Sequence, residues 1–171
     1  SGTPLTAIVE AGGGYSVSET APAGWRLDAI MCDKGEDNPA SITIGAGETV
    51  TCTVYNSKLG SLTLTKSVEG VADDYAWEFG FTLSPAATGG GLQTAAGVGN
   101  QTSSDVLAWT DLQPGTTYTV TESGNAGFTS TFACMDPTGA PVPDVNEQTA
   151  AYDVEVLPGM ALTCEVANVA K

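Results

Sequence analysis

The feature that most constrains the fold of this chain is an internal repeat. Residues 15–25 (YSVSETAPAGW) and 118–128 (YTVTESGNAGF) align without a gap. Further along, residues 51–56 (TCTVYN) match residues 163–168 (TCEVAN), and in both segments an asparagine follows a cysteine by four positions. Agreement of residue type and spacing at this many points indicates two copies of one structural module.

The two copies are unequal in length. Residues 59–104 precede the repeated segments of the second copy and have no counterpart in the first. We therefore expect residues 1–58 to be the C-terminal part of a module whose first strands are missing, and residues 59–171 to be a complete module. The missing strands would come from a longer chain or from a neighbouring chain that adds a strand to an open sheet edge.

The apolar residues form short runs between Gly, Ser, Thr, Asn and Pro, which is typical of strands joined by turns. The number of such runs favours an all-β fold of tandem β-sandwich modules. Residues 86–104, which include three consecutive glycines, are predicted to form a surface loop. For the complete module we predict seven strands, at residues 61–68, 75–83, 106–112, 117–122, 128–133, 150–156 and 161–169.

Charge and hydropathy exclude several classes of partner. Twenty carboxylates oppose five basic residues, a net charge of −15, which argues against nucleic acid. No run of about eighteen apolar residues is present, so membrane insertion is not expected for this segment. The acidic residues 33–38 could ligate calcium, but they lack the EF-hand spacing, and we expect neither a metal nor a cofactor.

The chain has no histidine and four cysteines. Absence of the commonest general base, together with the lack of a nucleophile motif, argues against a turnover enzyme. The cysteines stand singly rather than in the close pairs of zinc sites, which favours two disulfides formed in an oxidising compartment. Four cysteines permit three pairings.

Three segments of the second copy, taken in order, resemble a known family. They are residues 60–66 (GSLTLTK), the Tyr-x-Val-x-Glu-x(4)-Gly-aromatic stretch at 118–128, and a final strand that ends in Asn168. Together they resemble the B-type repeats of collagen-binding surface adhesins, also called prealbumin-like or SpaA-type pilin domains. The resemblance covers nearly the whole chain and implies tandem Ig-like, prealbumin-like β-sandwich modules. It also implies that such a module forms a spontaneous Lys–Asn isopeptide bond.

Carried onto this sequence, the resemblance implies a bond between Lys66 and Asn168, with Glu122 as proton relay. Burial would favour the neutral amine and the protonated carboxyl that such a reaction needs. Glu122 would hydrogen-bond the asparagine carbonyl and help to expel ammonia. In the first copy Glu19 and Asn56 are the equivalent residues, and their lysine would lie outside the chain start. Aromatic residues are expected to line the site, with Phe79, Phe81, Tyr118 and Phe128 as candidates.

Matching positions in the two copies favour intramodular disulfides, Cys32–Cys52 and Cys134–Cys164. The function implied is that of a stalk or fibre repeat in an extracellular bacterial adhesin, pilus or secreted filament, with neighbouring modules or subunits as partners. One alternative is a domain that binds a glycan or protein ligand through Trp77, Trp109 or the 86–104 segment. Another is a subunit of a strand-complemented polymer.

Overall fold

A computed structural model describes residues 4–33, 39–124, 126–145 and 151–171. The described residues form fourteen strands and no helix, so the prediction of an all-β chain is confirmed. Within those ranges there is accordingly no helix that could cross a membrane. Of the acidic run 33–38, only Asp33 lies among the described residues.

The chain divides into two compact units, residues 1–57 and 58–171, named here the N-terminal and C-terminal units. This division does not decide whether the N-terminal unit lacks strands, which stays a prediction. The predicted loop at 86–104 is wrong, because that segment contains two strands.

Four strands build the N-terminal unit: β1 (Gly12–Tyr15), β2 (Trp25–Cys32), β3 (Ile42–Ile44) and β4 (Cys52–Lys58), which runs into the boundary. Strands β1 and β3 pair antiparallel, and β2 pairs with β4, giving two separate two-stranded sheets. Ile42 is the one buried apolar side chain among the described residues of this unit. Its sheets therefore enclose very little core.

Ten strands build the C-terminal unit, in two sheets. One sheet has the order β13-β10-β6-β7, and the other has the order β12-β11-β14-β5, with β8 and β9 both paired to β5. Side chains from both sheets form one buried cluster, which identifies the unit as a β-sandwich. The strands are β5 (Gly60–Glu69), β6 (Ala76–Ser84), β7 (Gln93–Val98), β8 (Gln101–Thr102), β9 (Leu107–Leu112), β10 (Thr117–Ser123), β11 (Phe128–Met135), β12 (Pro141–Val142), β13 (Ala151–Glu155) and β14 (Ala161–Ala170).

The first and last strands of the C-terminal unit lie side by side. β5 and β14 pair in parallel over nine consecutive positions, from Ser61 opposite Ala161 to Glu69 opposite Val169. On the other side of β14, β11 pairs antiparallel and places Cys134 opposite Cys164 and Ser130 opposite Asn168. β14 is thus an interior strand with a partner along each edge.

Alternation along the strands determines which side chains enter the core. In β5 the residues Leu62, Leu64, Lys66 and Val68 are all buried, with partly exposed residues between them. β14 and β10 alternate in the same way, as expected for strands with one face on the core. A lysine therefore occupies a position at which the alternation predicts an apolar core residue.

All seven predicted strands of the C-terminal unit occur, within two residues at each described end. The 150–156 prediction begins at a residue outside the described ranges. The segment predicted as a loop holds β7, which pairs with β6 from Ala76 opposite Val98 to Phe81 opposite Gln93. Pairing with the bulky residues of β6 compensates for the low strand propensity of the Ala- and Gly-containing sequence QTAAGV.

Candidate functional site

Three polar side chains from three strands lie inside the C-terminal unit. Lys66 on β5 and Asn168 on β14 are 0% exposed, and Glu122 on β10 is 4% exposed. Each occupies an inward position of its strand, so the sandwich brings together residues that are far apart in the sequence. Buried charged groups are rare unless they are paired, and here Lys66 and Asn168 both contact the carboxylate of Glu122.

One carboxylate oxygen connects the group. Glu122 Oε1 lies 3.3 Å from Lys66 Nζ and accepts a 3.0 Å hydrogen bond from Asn168 Nδ2. Its other oxygen, Oε2, accepts a 2.7 Å hydrogen bond from Ser130 Oγ. Glu122 therefore lies between the amine and the carboxamide, within contact distance of both.

Lys66 Nζ makes three further contacts. It donates to the backbone oxygens of Ser67 at 3.0 Å and Val166 at 3.1 Å, and it lies 4.7 Å from the centre of the Phe79 ring. Burial lowers the pKa of Lys66 from 10.5 to about 8, although the nearby Glu122 and, more weakly, Glu165 oppose this shift. A neutral amine is therefore far more accessible here than at a lysine in water.

The carboxamide of Asn168 is oriented differently from the expectation. Its nitrogen, not its oxygen, faces Glu122, and Oδ1 is buried without a hydrogen-bond partner among the described residues. The physical reason is that an ionised carboxylate can only accept hydrogen bonds, so it attracts the NH2 group. A protonated Glu122 could instead donate to the carbonyl oxygen.

The expected aromatic lining is present in part. Phe79 contacts the amine and packs edge-on against Phe128, with ring centroids 5.3 Å apart. Phe81 is fully buried directly opposite Glu122 in the β6–β10 ladder. Tyr118 is also buried, but it lies four residues from Glu122 along β10, where its hydroxyl accepts a hydrogen bond from Gln113 N. Phe79 and Phe81 thus lie beside the polar side chains of the site, and Phe128 packs against Phe79.

The equivalent pair in the N-terminal unit has the same contact. Asn56 Nδ2 donates to Glu19 Oε1 at 3.0 Å, which matches the Asn168–Glu122 bond in atoms and in length. The described residues of this unit contain no lysine. Glu19 Oε2 is buried and has no hydrogen-bond partner among them.

Each unit also contains one disulfide. Cys32 is bonded to Cys52 and Cys134 to Cys164, which are the intramodular pairings predicted from the repeat. No free cysteine occurs in the described part of the chain. Each bond joins the strand after the Gly-aromatic motif to the last strand of its unit.

The same glycine ends the repeated motif in both units. Gly24 and Gly127 have φ of 78° and 86°, in the left-handed region that a glycine adopts without steric cost. In each case the next residue, Trp25 or Phe128, begins a strand that leads to the disulfide. This explains why glycine precedes the aromatic residue in the two copies.

Two family models match the chain, both described as a prealbumin-like fold domain of the SpaA type. The first matches residues 1–58 and the second residues 61–170. The chain belongs to the prealbumin-like fold domain family. No curated protein sequence matches it significantly.

Solved structures similar to this prealbumin-like chain include an adhesin and a pilin. A bacterial adhesin from Mobiluncus mulieris that contains intramolecular disulfide, isopeptide and ester bond cross-links is 18% identical over 81% of this chain, with a TM-score of 0.48. The major pilin from Streptococcus pyogenes is 17% identical over 90% of this chain, with a TM-score of 0.44. The chain spans 50% of the adhesin and 66% of the pilin.

Ser130 is the residue of the site that the sequence predictions miss. A signal for it exists, since Ser130 precedes Cys134 by four residues and Asn168 follows Cys164 by four. In an antiparallel ladder with the two cysteines opposite each other, equal offsets in opposite directions place Ser130 opposite Asn168. The assumed disulfide would therefore have been enough to find it.

Proposed function

We propose that this chain is a structural stalk or fibre segment of an extracellular bacterial adhesin, pilus or filament, reinforced by an isopeptide bond between Lys66 and Asn168. Its membership of the prealbumin-like family, its all-β fold and its disulfides support a load-bearing role outside the cell. The observation that carries the proposal is the contact of one buried Glu122 oxygen with both prospective reactants.

The proposed reaction exchanges one amide for another. The neutral amine of Lys66 attacks Cγ of Asn168, a new C–N bond forms, the bond from Cγ to Nδ2 breaks, and ammonia leaves. One proton must pass from the lysine nitrogen to the departing nitrogen. Glu122 Oε1 is within reach of both nitrogens, so a single carboxyl group can accept that proton and deliver it.

The fold supplies what an external enzyme would otherwise provide. The strands hold amine, carboxyl and carboxamide together, and this converts a slow bimolecular reaction into an intramolecular one. Because the product remains covalently attached, the reaction occurs once per chain. Turnover of a separate substrate is not part of this proposal.

The experiment that tests the bond is the intact mass of the full chain under reducing conditions. We expect a deficit of one ammonia and, after proteolysis, a branched peptide that joins Lys66 to Asn168. Glu122→Gln should show the full sequence mass, since the amide cannot relay the proton. Glu165→Gln is the matched control: that glutamate is near Lys66 but on the exposed face of β14, so its loss should leave the cross-link intact.

The bond would be refuted by a wild-type chain that folds with both disulfides formed and still has the full sequence mass after those disulfides are reduced. A Glu122→Gln chain that still loses ammonia would refute the assigned relay and leave the bond itself standing. The stalk role does not depend on the relay.

We further propose that Glu19 and Asn56 form the corresponding half-site of the N-terminal unit. The identical Asn-to-Glu contact supports this assignment. The lysine would come from a strand outside the described residues, in the same protein or in a neighbouring subunit, and exposed apolar side chains such as Trp25, Met31 and Tyr55 would then be covered. On this proposal the chain by itself loses one ammonia, and a second loss or a cross-link from Asn56 to Lys34 or Lys58 would contradict it.

The rival proposal of a ligand-binding domain has less support. Trp77 and Trp109, the aromatic candidates for a binding surface, are 5% and 0% exposed. The 86–104 segment contributes two strands, β7 and β8, to the sandwich. These residues are therefore accounted for by the core and the sheet of a structural module.

A further inference from the structure

The shortest side-chain hydrogen bond at the Lys66–Asn168 site comes from Ser130. Its Oγ lies 2.7 Å from Glu122 Oε2, compared with 3.0 Å for Asn168 and 3.3 Å for Lys66 at the other oxygen. A carboxyl group can rotate about its last bond, so holding one oxygen fixes the direction of the other. Ser130 thus determines which way Oε1 points.

The position of Ser130 is itself fixed by the sheet. It lies directly opposite Asn168 in the β11–β14 ladder, four residues from the point where Cys134 and Cys164 are joined. A slip of one residue between these strands would turn Ser130 to the opposite face of the sheet. The disulfide prevents that slip, because it links the two strands at one register.

A hydroxyl group suits this position because it can donate a hydrogen bond to Oε2 both before and after Oε1 takes up a proton. When Glu122 is ionised, Ser130 donates to Oε2. When Glu122 carries the transferred proton on Oε1, the same hydroxyl can go on donating to Oε2. Glu122 must pass through both states if it relays a proton, and Ser130 can remain bonded to it in each.

We propose that Ser130 is a positioning residue for isopeptide formation, acting through Glu122. The inference rests on the reaction proposed above. Ser130 holds Oε2 so that Oε1 stays between the amine of Lys66 and the carboxamide of Asn168 while the proton is transferred.

The two units provide an internal comparison. Counted from the first cysteine of each unit, Asp28 corresponds to Ser130, because each precedes its cysteine by four residues. Asp28 binds Ser57 and Arg26, and Glu19 Oε2 is left without a hydrogen-bond partner among the described residues. The Asn-to-Glu contact is the same in both units, and among the described residues the two sites differ in the lysine and in the bond to Oε2.

The test measures how fast the full chain loses ammonia as it folds. Unreacted chain is dissolved in denaturant, its full mass is verified, and it is diluted into buffer. Samples are quenched in acid at intervals for intact mass, while tryptophan fluorescence follows folding in parallel. Ser130→Ala should slow ammonia loss by about tenfold to a hundredfold, the range expected when a hydrogen bond to a charged group is lost.

Two variants separate positioning from a general effect on the fold. Ser130→Thr keeps the hydroxyl on a strand-compatible side chain and should restore most of the rate. Thr131→Ala is the matched control, because it removes a hydroxyl from the next residue of β11, where Oγ1 donates to Ala167 O rather than to Glu122. This control should react at the wild-type rate.

The outcomes are distinguishable. If the wild-type chain never loses ammonia, the proposed reaction fails and Ser130 has no role in it. If the wild type reacts and Ser130→Ala reacts equally fast, the reaction stands and the role of Ser130 is refuted. If Ser130→Ala and Ser130→Thr are equally slow, or if folding slows in parallel with ammonia loss, the effect is one of packing, and the positioning role is likewise refuted.

Discussion

At the residue scale, the most unusual feature of this molecule is a lysine in a core position. Lys66 Nζ has three oxygen neighbours, on Ser67, Val166 and Glu122, which matches the three donors of an ammonium group. Burial nevertheless favours the neutral amine. The lysine is thus held in a state from which its proton is readily lost.

Because burial favours the neutral amine of Lys66, the free energy of unfolding should depend on pH in a chain that cannot cross-link, such as Asn168→Ala. The pKa of Lys66 falls from 10.5 to about 8 on folding. Below pH 8 both states carry the charge and the folded state bears the full cost of burying it, whereas above 10.5 neither state is charged. The unfavourable contribution of Lys66 should therefore diminish by about 3 kcal/mol as the pH rises through this window.

The measurement is urea unfolding of Asn168→Ala at several pH values, compared with the double variant Asn168→Ala, Lys66→Met. The difference between the two unfolding free energies isolates Lys66. As the pH rises from 8 to 10.5, the unfolding free energy of Asn168→Ala should increase relative to that of the double variant. A difference that stays constant across this range would show that burial does not perturb the amine.

The residues of the site were predictable to different degrees. Lys66, Glu122 and Asn168 were found from the motif resemblance. The alternation of Leu62, Leu64 and Val68 independently indicates that Lys66 lies on the buried face of its strand. The orientation of the Asn168 amide could not be read from the sequence, because it depends on the protonation state of a neighbour brought close only by folding.

At the element scale, the edge strand β7 shows how the sandwich protects an open edge. Ala96 N donates to Asp105 Oδ2 at 3.1 Å, and Ser103 Oγ donates to Ala96 O at 2.8 Å. These bonds occupy backbone groups that would otherwise be available to another strand. β7 could not be predicted from the sequence, because it consists largely of small residues with little strand propensity and its pairing with β6 is a tertiary effect.

A substitution on β7 tests how tightly it packs on β6. A Cβ atom added at Gly97 would lie 2.3 Å from Cζ2 of Trp77, so the indole would have to move. That ring is buried, and its Nε1 donates to Gly99 O. We expect Gly97→Ala to lower the free energy of unfolding by about 1 to 3 kcal/mol.

Chemical denaturation in the Glu122→Gln background measures this effect without the covalent bond. Ala96→Val, which enlarges the preceding exposed residue, is the control and should change stability by less than about 0.5 kcal/mol. Adding Trp77→Phe should recover part of the loss caused by Gly97→Ala. Strictly additive effects of the two substitutions would argue against the clash.

At the scale of the whole molecule, the covalent bonds converge on one strand. β14 is linked to β11 by the Cys134–Cys164 disulfide and, on the proposed function, to β5 by the isopeptide bond. The proposed bond closes a loop that contains nearly all of the C-terminal unit. By the chain-entropy estimate, such a loop of about 100 residues stabilises the fold by about 4 to 5 kcal/mol.

Pulling the full chain by its termini would reveal the bond directly. In Glu122→Gln, unfolding of the C-terminal unit should lengthen the chain by roughly 250 Å, since only the 30-residue disulfide loop stays closed. In the wild type this extension should be absent, because force passes from Lys66 to Asn168 through the covalent bond. The same long step in both proteins would contradict a clamp between first and last strands.

The parallel pairing of β5 and β14 also determines the distance between the two ends of the C-terminal unit. Because the two strands point the same way, the polypeptide enters the C-terminal unit at one end of the sandwich and leaves it at the other. Each strand has ten residues, so entry and exit are separated by roughly 33 Å. A filament assembled from units of this kind would have a contour length fixed by the number of units it contains, independent of the load applied to it.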